Sequence, residues 1–413
     1  MTTPDRAPET PLPGPPDPWT WTPMPSLRSA PPYHMTEMIE AEPALAERVL
    51  ARLGGPGAGV EGSGDGSGEG SGDGSAARLA AAIREAASAG QPIVITGCGT
   101  SEHGALGIVE ILRDAMRTAG LPGPGPIAAQ AFEASLDPQR GGLLVAVSHE
   151  GTTWATNRAI EAARAGGARV AIVTVSARSP GAALADLVLS TGELDQSWCH
   201  TVGYLSPLLA AVATGAALRG SADGAARIRA LLAAGSSDVR GAEAAAGVLA
   251  EAAHLIVIAS GADRTAGREL TLKIEEAAWI PTAFRDLETF LHGHIPATDG
   301  STGLILVLAD RAARADRLDR ASKALAAARV LGIRTAAIVS AEANASLEAS
   351  LTPAGRLVVP EAPDLPGPVA ALMGTATPLQ LLTERIARAR GTNPDPIRRD
   401  DPRYLAAAAA AEG

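Results

Sequence analysis

The amino-acid sequence predicts an α/β protein with two mainly parallel sheets, each flanked by helices in a three-layer α/β/α arrangement. Short apolar runs such as LLVAV (143–147) alternate with amphipathic stretches such as 153–165, as parallel strands alternate with crossover helices. Hydrophobic residues make up 46% of the chain but aromatic residues only 3%. The predicted core therefore consists of Ala, Leu, Val and Ile.

The strand pattern recurs after about 160 residues, which indicates a duplicated domain rather than a short structural repeat. HLIVIAS (254–260) repeats PIVIT (92–96), and GLILVLA (303–309) repeats LLVAV. IRTAAIVS (333–340) likewise repeats RVAIVTV (169–175). We expect a first domain over 76–235 and a second over 236–392, joined by helical sequence near 208–249.

Helices are predicted over 34–53, 76–89 and 102–118, and a further short strand near 127–131. The remaining segments are the two termini and one Gly/Ser-rich tract. Residues 1–33 are Pro-rich and are expected to be disordered, and residues 393–413 form a C-terminal tail. The tract at about 54–75, which completes an N-terminal unit over 34–75, is either a flexible linker or an insertion between two helices.

Composition argues against several functional classes. The net charge of −10 disfavours a nucleic-acid-binding protein, which usually carries a basic face. The two cysteines, Cys98 and Cys199, give no disulfide framework and no zinc-type spacing, which favours a reducing cytoplasm. We expect no signal peptide in the Pro-rich N-terminus and no membrane span, because uninterrupted apolar runs are too short.

Candidate ligand-binding residues follow the predicted strands, since ligands of parallel α/β sheets bind beyond the carboxyl ends of the strands. The loop TGCGTSEHG (96–104) provides Gly99, Thr100 and Ser101 before a helix, whose N-terminus favours an anion. The alternative for this loop is an ordinary strand–helix turn with a serine cap.

Two further loops carry polar side chains at the same predicted edge. SHEGTT (148–153) contributes Ser148, His149, Glu150 and Thr153, although Thr152 or Thr153 could simply cap the next helix. ELDQSWCHTVGY (193–204) contributes Ser197 and His200 beside Trp198 and Cys199. A packing role for this third loop stays open.

Four motifs together resemble the sugar-isomerase (SIS) domain family. They are CGTS (98–101), S-x-x-G-x-T (148–153), M-x-x-M-I-x-x-E-P (35–43) and LKIEEAAWIPTAFRDLETFLHG (272–293). Within that family the sequence is similar to the isomerase half of glucosamine–fructose-6-phosphate aminotransferase and to related sugar-phosphate deglycases and deaminases. The resemblance implies a tandem of two SIS domains acting on a ketose or amino sugar, without cofactor or metal, by isomerisation, deamination or deglycation.

The resemblance also implies roles for individual residues. Glu276 matches the catalytic base, and His292 matches a histidine that assists ring opening in a neighbouring subunit's site. The residues matching the phosphate-holding positions are Ser101, Ser148, His149, Glu150 and Thr153. A homodimer with shared sites is therefore expected, with a sugar or sugar phosphate as ligand and neither nucleic acid nor membrane as partner. From the residues alone, Glu276 could instead form an ion pair with Lys273 on an exposed helix.

Three departures from the family pattern set limits on the function. Glu150 replaces a serine, and a carboxylate 4 Å from an anion costs about 4 kcal/mol at an effective dielectric of 20. Either a protonated His149 offsets Glu150, or Glu150 points away, or the substrate lacks a phosphate. The C-terminal tail has no lysine, which excludes an imine there; its arginines, Arg398, Arg399 and Arg403, could close over a site, or the tail could be a frayed end. Residues 1–75 are too short for a glutaminase domain, so we expect no glutamine-driven ammonia transfer.

Two other classes of function stay open. The chain could be a carbohydrate-binding or sensing SIS protein that has lost turnover. Alternatively, a metal could bind to His200, His292, His294 and Cys199, although their spacing matches no recognised zinc pattern.

Overall fold

The computed structural model describes residues 27–54 and 72–412 and contains two parallel five-stranded sheets flanked by helices. The first sheet has the order β2-β1-β3-β4-β5 and the second the order β7-β6-β8-β9-β10. Every pairing in both sheets is parallel. The strands are β1 Ile93–Gly97, β2 Ile127–Gln130, β3 Leu143–Val147, β4 Arg169–Thr174, β5 Leu187–Ser190, β6 His254–Ala259, β7 Thr282–Asp286, β8 Thr302–Leu308, β9 Arg334–Ser340 and β10 Gly355–Val359.

The helices cover both faces of the sheets. They are α1 His34–Leu53, α2 Ser75–Ser88, α3 Thr100–Thr118, α4 Ala131–Leu136, α5 Trp154–Ala165, α6 Pro180–Ala183, α7 Val202–Arg219, α8 Ala225–Gly235, α9 Val239–Leu249, α10 Asp263–Ala278, α11 Leu287–Thr289, α12 Arg314–Val330, α13 Ala341–Ser346, α14 Gly367–Arg390 and α15 Pro402–Glu412. Short turns of other helical types lie at Phe290–His294, Ile295–Ala297 and Ala349–Leu351. The α/β class and the parallel sheets predicted from the sequence are confirmed.

The two sheets share one hydrophobic core, although each also has an outer layer of its own. Residues that point to one face, such as Val145 of β3 and Val257 of β6, belong to a single cluster that includes both halves. Residues of the opposite face, such as Leu144 and Ile256, pack in separate clusters under the outer helices. Burial of both faces explains why these strands are apolar at consecutive positions rather than alternating. The equal strand order supports duplication, and the division at 235/236 stays a prediction.

Helix α7 lies inside this shared core. Among the described residues it is the one helix long and apolar enough to cross a membrane, and 89% of its 18-residue window is buried within the protein. Such burial is what the central helix of a folded core shows, so this helix gives only weak support for a membrane span.

The ends of the Gly/Ser-rich tract lie together. The Asp73 N–H donates to the Arg52 carbonyl at 2.8 Å, and the Gly74 N–H donates to the Gly54 carbonyl at 3.0 Å. These bonds favour an insertion between α1 and α2 over a linker. The tract's interior (55–71) and most of the Pro-rich tail (1–26) lie outside the described residues.

Candidate functional site

A cleft of about 990 Å³ lies at the carboxyl edge of the first sheet. It combines the loops after β1 and β3, the loop before α7, one residue of α10 and the C-terminal segment. Its lining residues are Cys98, Gly99, Thr100, Ser101, His149, Glu150, Thr152, Thr153, Trp154, Ala155, Trp198, His200, Glu276, Ile397, Arg399 and Ala411. Most of the sequence-predicted candidates therefore meet in one place.

Helix α10 carries an array of charges from the protein interior to this cleft. Lys273 and Glu269 are fully buried, and the side chain of Glu276 is 22% exposed. The Lys273 ammonium lies 2.6 Å from Glu276 Oε2 and 3.6 Å from Glu269 Oε1. The ion pair between Lys273 and Glu276 exists, as the alternative interpretation expected, but it is not on an exposed helix face.

One ammonium shared by two carboxylates separates their proton affinities. Burial raises the pKa of Glu276, and the Lys273 charge only partly opposes that rise. Burial also acts to raise the pKa of Glu269, but Lys273 and His103 outweigh it and lower that pKa. Although burial lowers the pKa of Lys273, the two carboxylates raise it overall, so the ammonium stays charged. Glu276 is thus a carboxylate whose pKa lies nearer neutrality, as a general base requires.

Glu269 also connects α10 to the loop after β1. Its Oε2 lies 2.7 Å from His103 Nδ1, and the Thr100 hydroxyl donates to its Oε1 at 3.4 Å. His103 follows a predicted strand end, but neither Glu269 nor its contact with His103 was predicted from the sequence. No local pattern joins residues 166 positions apart, and only the packing of α3 on α10 brings them together.

The histidines of the cleft are neutral at physiological pH. Burial lowers the pKa of His149 to about 3, with His200 as a further cause, and burial and Lys273 lower the pKa of His200 to about 3. The two rings meet edge to face with centroids 5.2 Å apart. His149 Nε2 accepts the Asp195 backbone N–H at 3.0 Å. A protonated His149 therefore does not offset Glu150.

Glu150 lies in the cleft wall rather than pointing away from it. Burial raises the pKa of its carboxyl, and the Asp195 carboxylate raises it further. Two of the three explanations weighed for this replacement are thus disfavoured. The explanation that remains is a substrate without a phosphate at this end.

Two candidate serines lie behind the cleft surface. Ser148 is buried and donates to the Thr153 hydroxyl at 3.3 Å, and Ser197 is also buried. Neither lines the cleft, so Thr100, Ser101, Thr152 and Thr153 supply its hydroxyl groups.

His292 lies outside the cleft of its own chain. Its side chain is 72% exposed, and its Nε2 is 2.7 Å from Glu288, which also pairs with Arg320. A single chain therefore does not bring His292 to Glu276.

The residues of the alternative metal site do not gather in the described part of the chain. There, the group of metal-ligating side chains that does gather is His149, Asp195 and His200. The Asp195 carboxylate accepts the backbone N–H groups of Ser197, Thr201 and Gly203, which organise the loop before α7. His149 Nε2 accepts another, so these lone pairs are engaged within the fold.

The C-terminal segment covers one side of the cleft. The Arg399 guanidinium lies 4.8 Å from the ring centroid of Trp198. Arg398 lies between Trp279 and Tyr404, at 4.5 and 3.9 Å from their ring centroids. Cation–π contacts of this kind fix the segment where Ile397 and Ala411 reach the cleft.

Solved structures with a similar fold include three proteins named for phosphorylated sugars. The C-terminal domain of glucosamine-fructose-6-phosphate aminotransferase from Francisella tularensis matches with a TM-score of 0.72 and 18% identity, over 88% of this chain and 98% of that one. Tagatose-6-phosphate ketose/aldose isomerase from Escherichia coli matches with a TM-score of 0.67 and 16% identity, over 90% and 96% of the two chains. Glucosamine-6-phosphate deaminase from Thermotoga maritima matches with a TM-score of 0.55 and 17% identity, over 78% and 95%.

The chain has the SIS fold. The TM-scores establish this fold, and identities below 20% leave the reaction open. No protein-family model and no curated relative matches the sequence. The SIS architecture of parallel sheets flanked by helices, expected from the motif resemblance, is therefore confirmed, and the division into two domains stays a prediction.

Proposed function

We propose that this SIS protein is a cofactor-independent enzyme that shifts a proton between neighbouring carbons of a ketose or amino sugar. The supporting observation is Glu276, whose carboxylate faces the cleft, has a raised pKa and is held by the buried Lys273 ammonium. Isomerisation, deamination and deglycation all begin with this proton abstraction, through an enediol or an enolamine.

Glu276 removes the proton from the carbon next to the carbonyl and returns it to the neighbouring carbon. Its raised pKa makes the carboxylate a stronger base for the first step. The pKa is still low enough for the protonated acid to release the proton in the second step. Lys273 keeps Glu276 oriented and limits the rise of its pKa. Hydroxyl groups of Thr100 and Ser101 line the same cleft and can hold the sugar's oxygens.

His292 would act in the cleft of a second copy of the chain. It is exposed and does not line the cleft of its own chain, and the resemblance assigns it to ring opening. A neutral imidazole can pass a proton to and from the ring oxygen. A homodimer with shared sites would combine the Glu276 of one protomer with the His292 of its partner.

Complementation tests the shared site. Glu276→Gln and His292→Asn variants are each expected to be inactive. Co-expression of the two variants should restore activity, because one of the two sites in a mixed dimer keeps both Glu276 and His292. Activity that never exceeds the sum of the separate variants would show that the site is not shared.

Proton exchange in deuterated water tests the reaction itself. Purified protein is incubated with ketoses and amino sugars, free and phosphorylated, and deuterium at the carbons next to the carbonyl is followed by NMR. Incorporation that depends on Glu276 is the expected result. Binding without any incorporation would contradict the enzyme proposal.

A sensing protein is the second candidate, favoured by Glu150 and by a C-terminal segment without lysine. It predicts ligand binding at the same cleft with no deuterium incorporation. The charge array of α10 favours the enzyme, since binding alone gives no reason to bury Lys273 between two carboxylates.

A further inference from the structure

Trp154 forms an aromatic surface at the end of the cleft beside the loop 148–153. It is the first residue of α5, lines the cleft and is 61% exposed. Its ring stacks on Phe132 with centroids 6.2 Å apart and planes at 27°, and the Arg158 guanidinium lies 4.9 Å from the ring. These contacts hold the indole in place while most of it stays accessible to a ligand.

Aromatic residues are scarce in this chain, which makes their position informative. The sequence has five Trp, three Tyr and three Phe in 413 residues. Of the three tryptophans in the described segments, Trp154 and Trp198 line the cleft, and Trp279 stacks with the C-terminal segment that covers it. Tryptophan faces bind the C–H faces of sugar rings by dispersion and by removal of apolar surface from water.

Glu150 supplies the polar part of the same end of the cleft. A carboxylate can accept hydrogen bonds from two neighbouring sugar hydroxyls, whereas it repels a phosphate. His149 and His200 are neutral beside it. The Arg158 and Arg399 guanidinium groups lie over the rings of Trp154 and Trp198.

The cleft is also large for a single sugar. Its volume of about 990 Å³ lies at the upper end of the range for sites that hold drug-sized ligands. It has room for a second ring beyond the sugar that Glu276 would process.

We propose that Trp154 and Glu150 form a subsite for an uncharged sugar ring, so that the substrate carries a second sugar unit in place of a phosphate. This inference rests on the proposed function, because Glu276 defines the end of the cleft at which the reaction occurs.

Three probes distinguish the possibilities by calorimetric titration of the full chain. Fructose, fructose 6-phosphate and 6-O-α-D-glucopyranosyl-D-fructose differ only at the sixth oxygen, which carries hydrogen, phosphate or a glucose ring. The disaccharide is expected to bind about ten-fold tighter than fructose, the gain of one well-placed ring contact, and fructose 6-phosphate no tighter than fructose.

Variants assign the gain to named residues. Trp154→Ala should remove the preference for the disaccharide without changing the affinity for fructose. Glu150→Ser should weaken the disaccharide and strengthen fructose 6-phosphate. Val330→Ala, at an exposed position on α12 outside the cleft, is the matched control and should change nothing.

Tighter binding of fructose 6-phosphate than of the disaccharide would overturn the subsite, as would failure of the disaccharide to bind more tightly than fructose. If Trp154→Ala changes the oligomeric state in solution and leaves the sugar affinities unchanged, Trp154 belongs to a protein interface instead. Proton exchange separates this outcome from the proposed function. Exchange with fructose 6-phosphate alone would leave the enzyme proposal intact and remove the subsite, and tight disaccharide binding without exchange would do the reverse.

Discussion

The two sheets have the same strand order, but their carboxyl edges differ in how much open space they enclose. The edge of the first sheet opens into the cleft of about 990 Å³. Among the described residues, the edge of the second sheet lines a cavity of about 10 Å³, enough for about one water molecule. Arginine–carboxylate pairs fill that edge, with Arg314 on Glu342 and Glu361 and Arg317 on Asp310.

The first residues of the helices after β1 and β6 account for much of this difference. Asp263 begins α10, and its Oδ2 accepts the N–H groups of Ala309 and Asp310 at 2.7 and 2.8 Å, which joins the loop after β6 to the loop after β8. The corresponding helix α3 begins with Thr100, whose hydroxyl donates to Glu269 of α10 at 3.4 Å. The edge that the chain leaves unfilled is thus the one available for a ligand.

The largest expected effect is the loss of proton exchange when the cleft at the open edge loses its carboxylate base. Glu276→Gln should lower proton exchange by about 10²–10⁴-fold, the contribution of a positioned general base. Glu275→Gln is the matched control, because Glu275 is the adjacent, exposed glutamate and accepts the Thr282 N–H outside the cleft lining. Equal losses in the two variants, measured by deuterium incorporation, would remove Glu276 from its role.

The buried lysine gives the next effect, on the free energy of unfolding. Lys273→Met leaves two carboxylates buried without their cation and should cost about 3–5 kcal/mol. Arg317→Met at the other edge should cost less, because Asp310 keeps its hydrogen bond from the Ala262 N–H. Urea denaturation measures both, and a larger loss in Arg317→Met would contradict the assignment of Lys273 as the central charge.

Much of the fold could be predicted because its inner strands are apolar on both faces. The predicted strand 143–147 has the bounds of β3. The repeat matched β1 with β6, which occupy equivalent positions in the two sheets. The predictions missed β5, β7 and β10, which are all edge strands. Strand β7, TAFRD, is only half-buried along its length, so its sequence lacks the apolar run that identified the others.

The site could be predicted less completely, because its key property is burial. The three-residue spacing of Lys273 and Glu276 fits an exposed helical ion pair equally well. Lys273 is buried because the loop before α7 packs on it, with Cys199 Sγ 3.9 Å from its carbonyl oxygen. Contacts between segments some 70 residues apart leave no local pattern in the sequence.

Asp263 predicts a pH-dependent stability at the closed edge. Burial raises its pKa from 3.8 to about 7, with the nearby Asp310 carboxylate acting in the same direction. The folded protein therefore binds this proton more tightly than the unfolded chain does. The contribution is fully present below about pH 4 and is lost as the pH rises to about 7, by on the order of 4 kcal/mol.

Asp263→Asn keeps the acceptor oxygen but removes the titration, so the loss between these pH values should become smaller. Urea midpoints at pH 4.5 and pH 7 for the two proteins measure the difference. If the difference between the two urea midpoints is the same in the variant, Asp263 does not retain the proton. The closed edge would then depend on its arginine pairs alone.

The smallest expected effect concerns the C-terminal cover of the open edge. Arg399→Ala removes the cation–π contact with Trp198, worth about 0.5–2 kcal/mol, and should raise the KM of proton exchange by about 2–30-fold with little change in kcat. Arg403→Ala is the control, since Arg403 is exposed and pairs with Asp401 away from the cleft lining. If kcat falls while KM is constant, Arg399 acts on the reacting atoms rather than on closure. Such a result would mean that the C-terminal segment contributes to the reaction together with α10. Catalysis at the open edge would then depend on the segment that covers it.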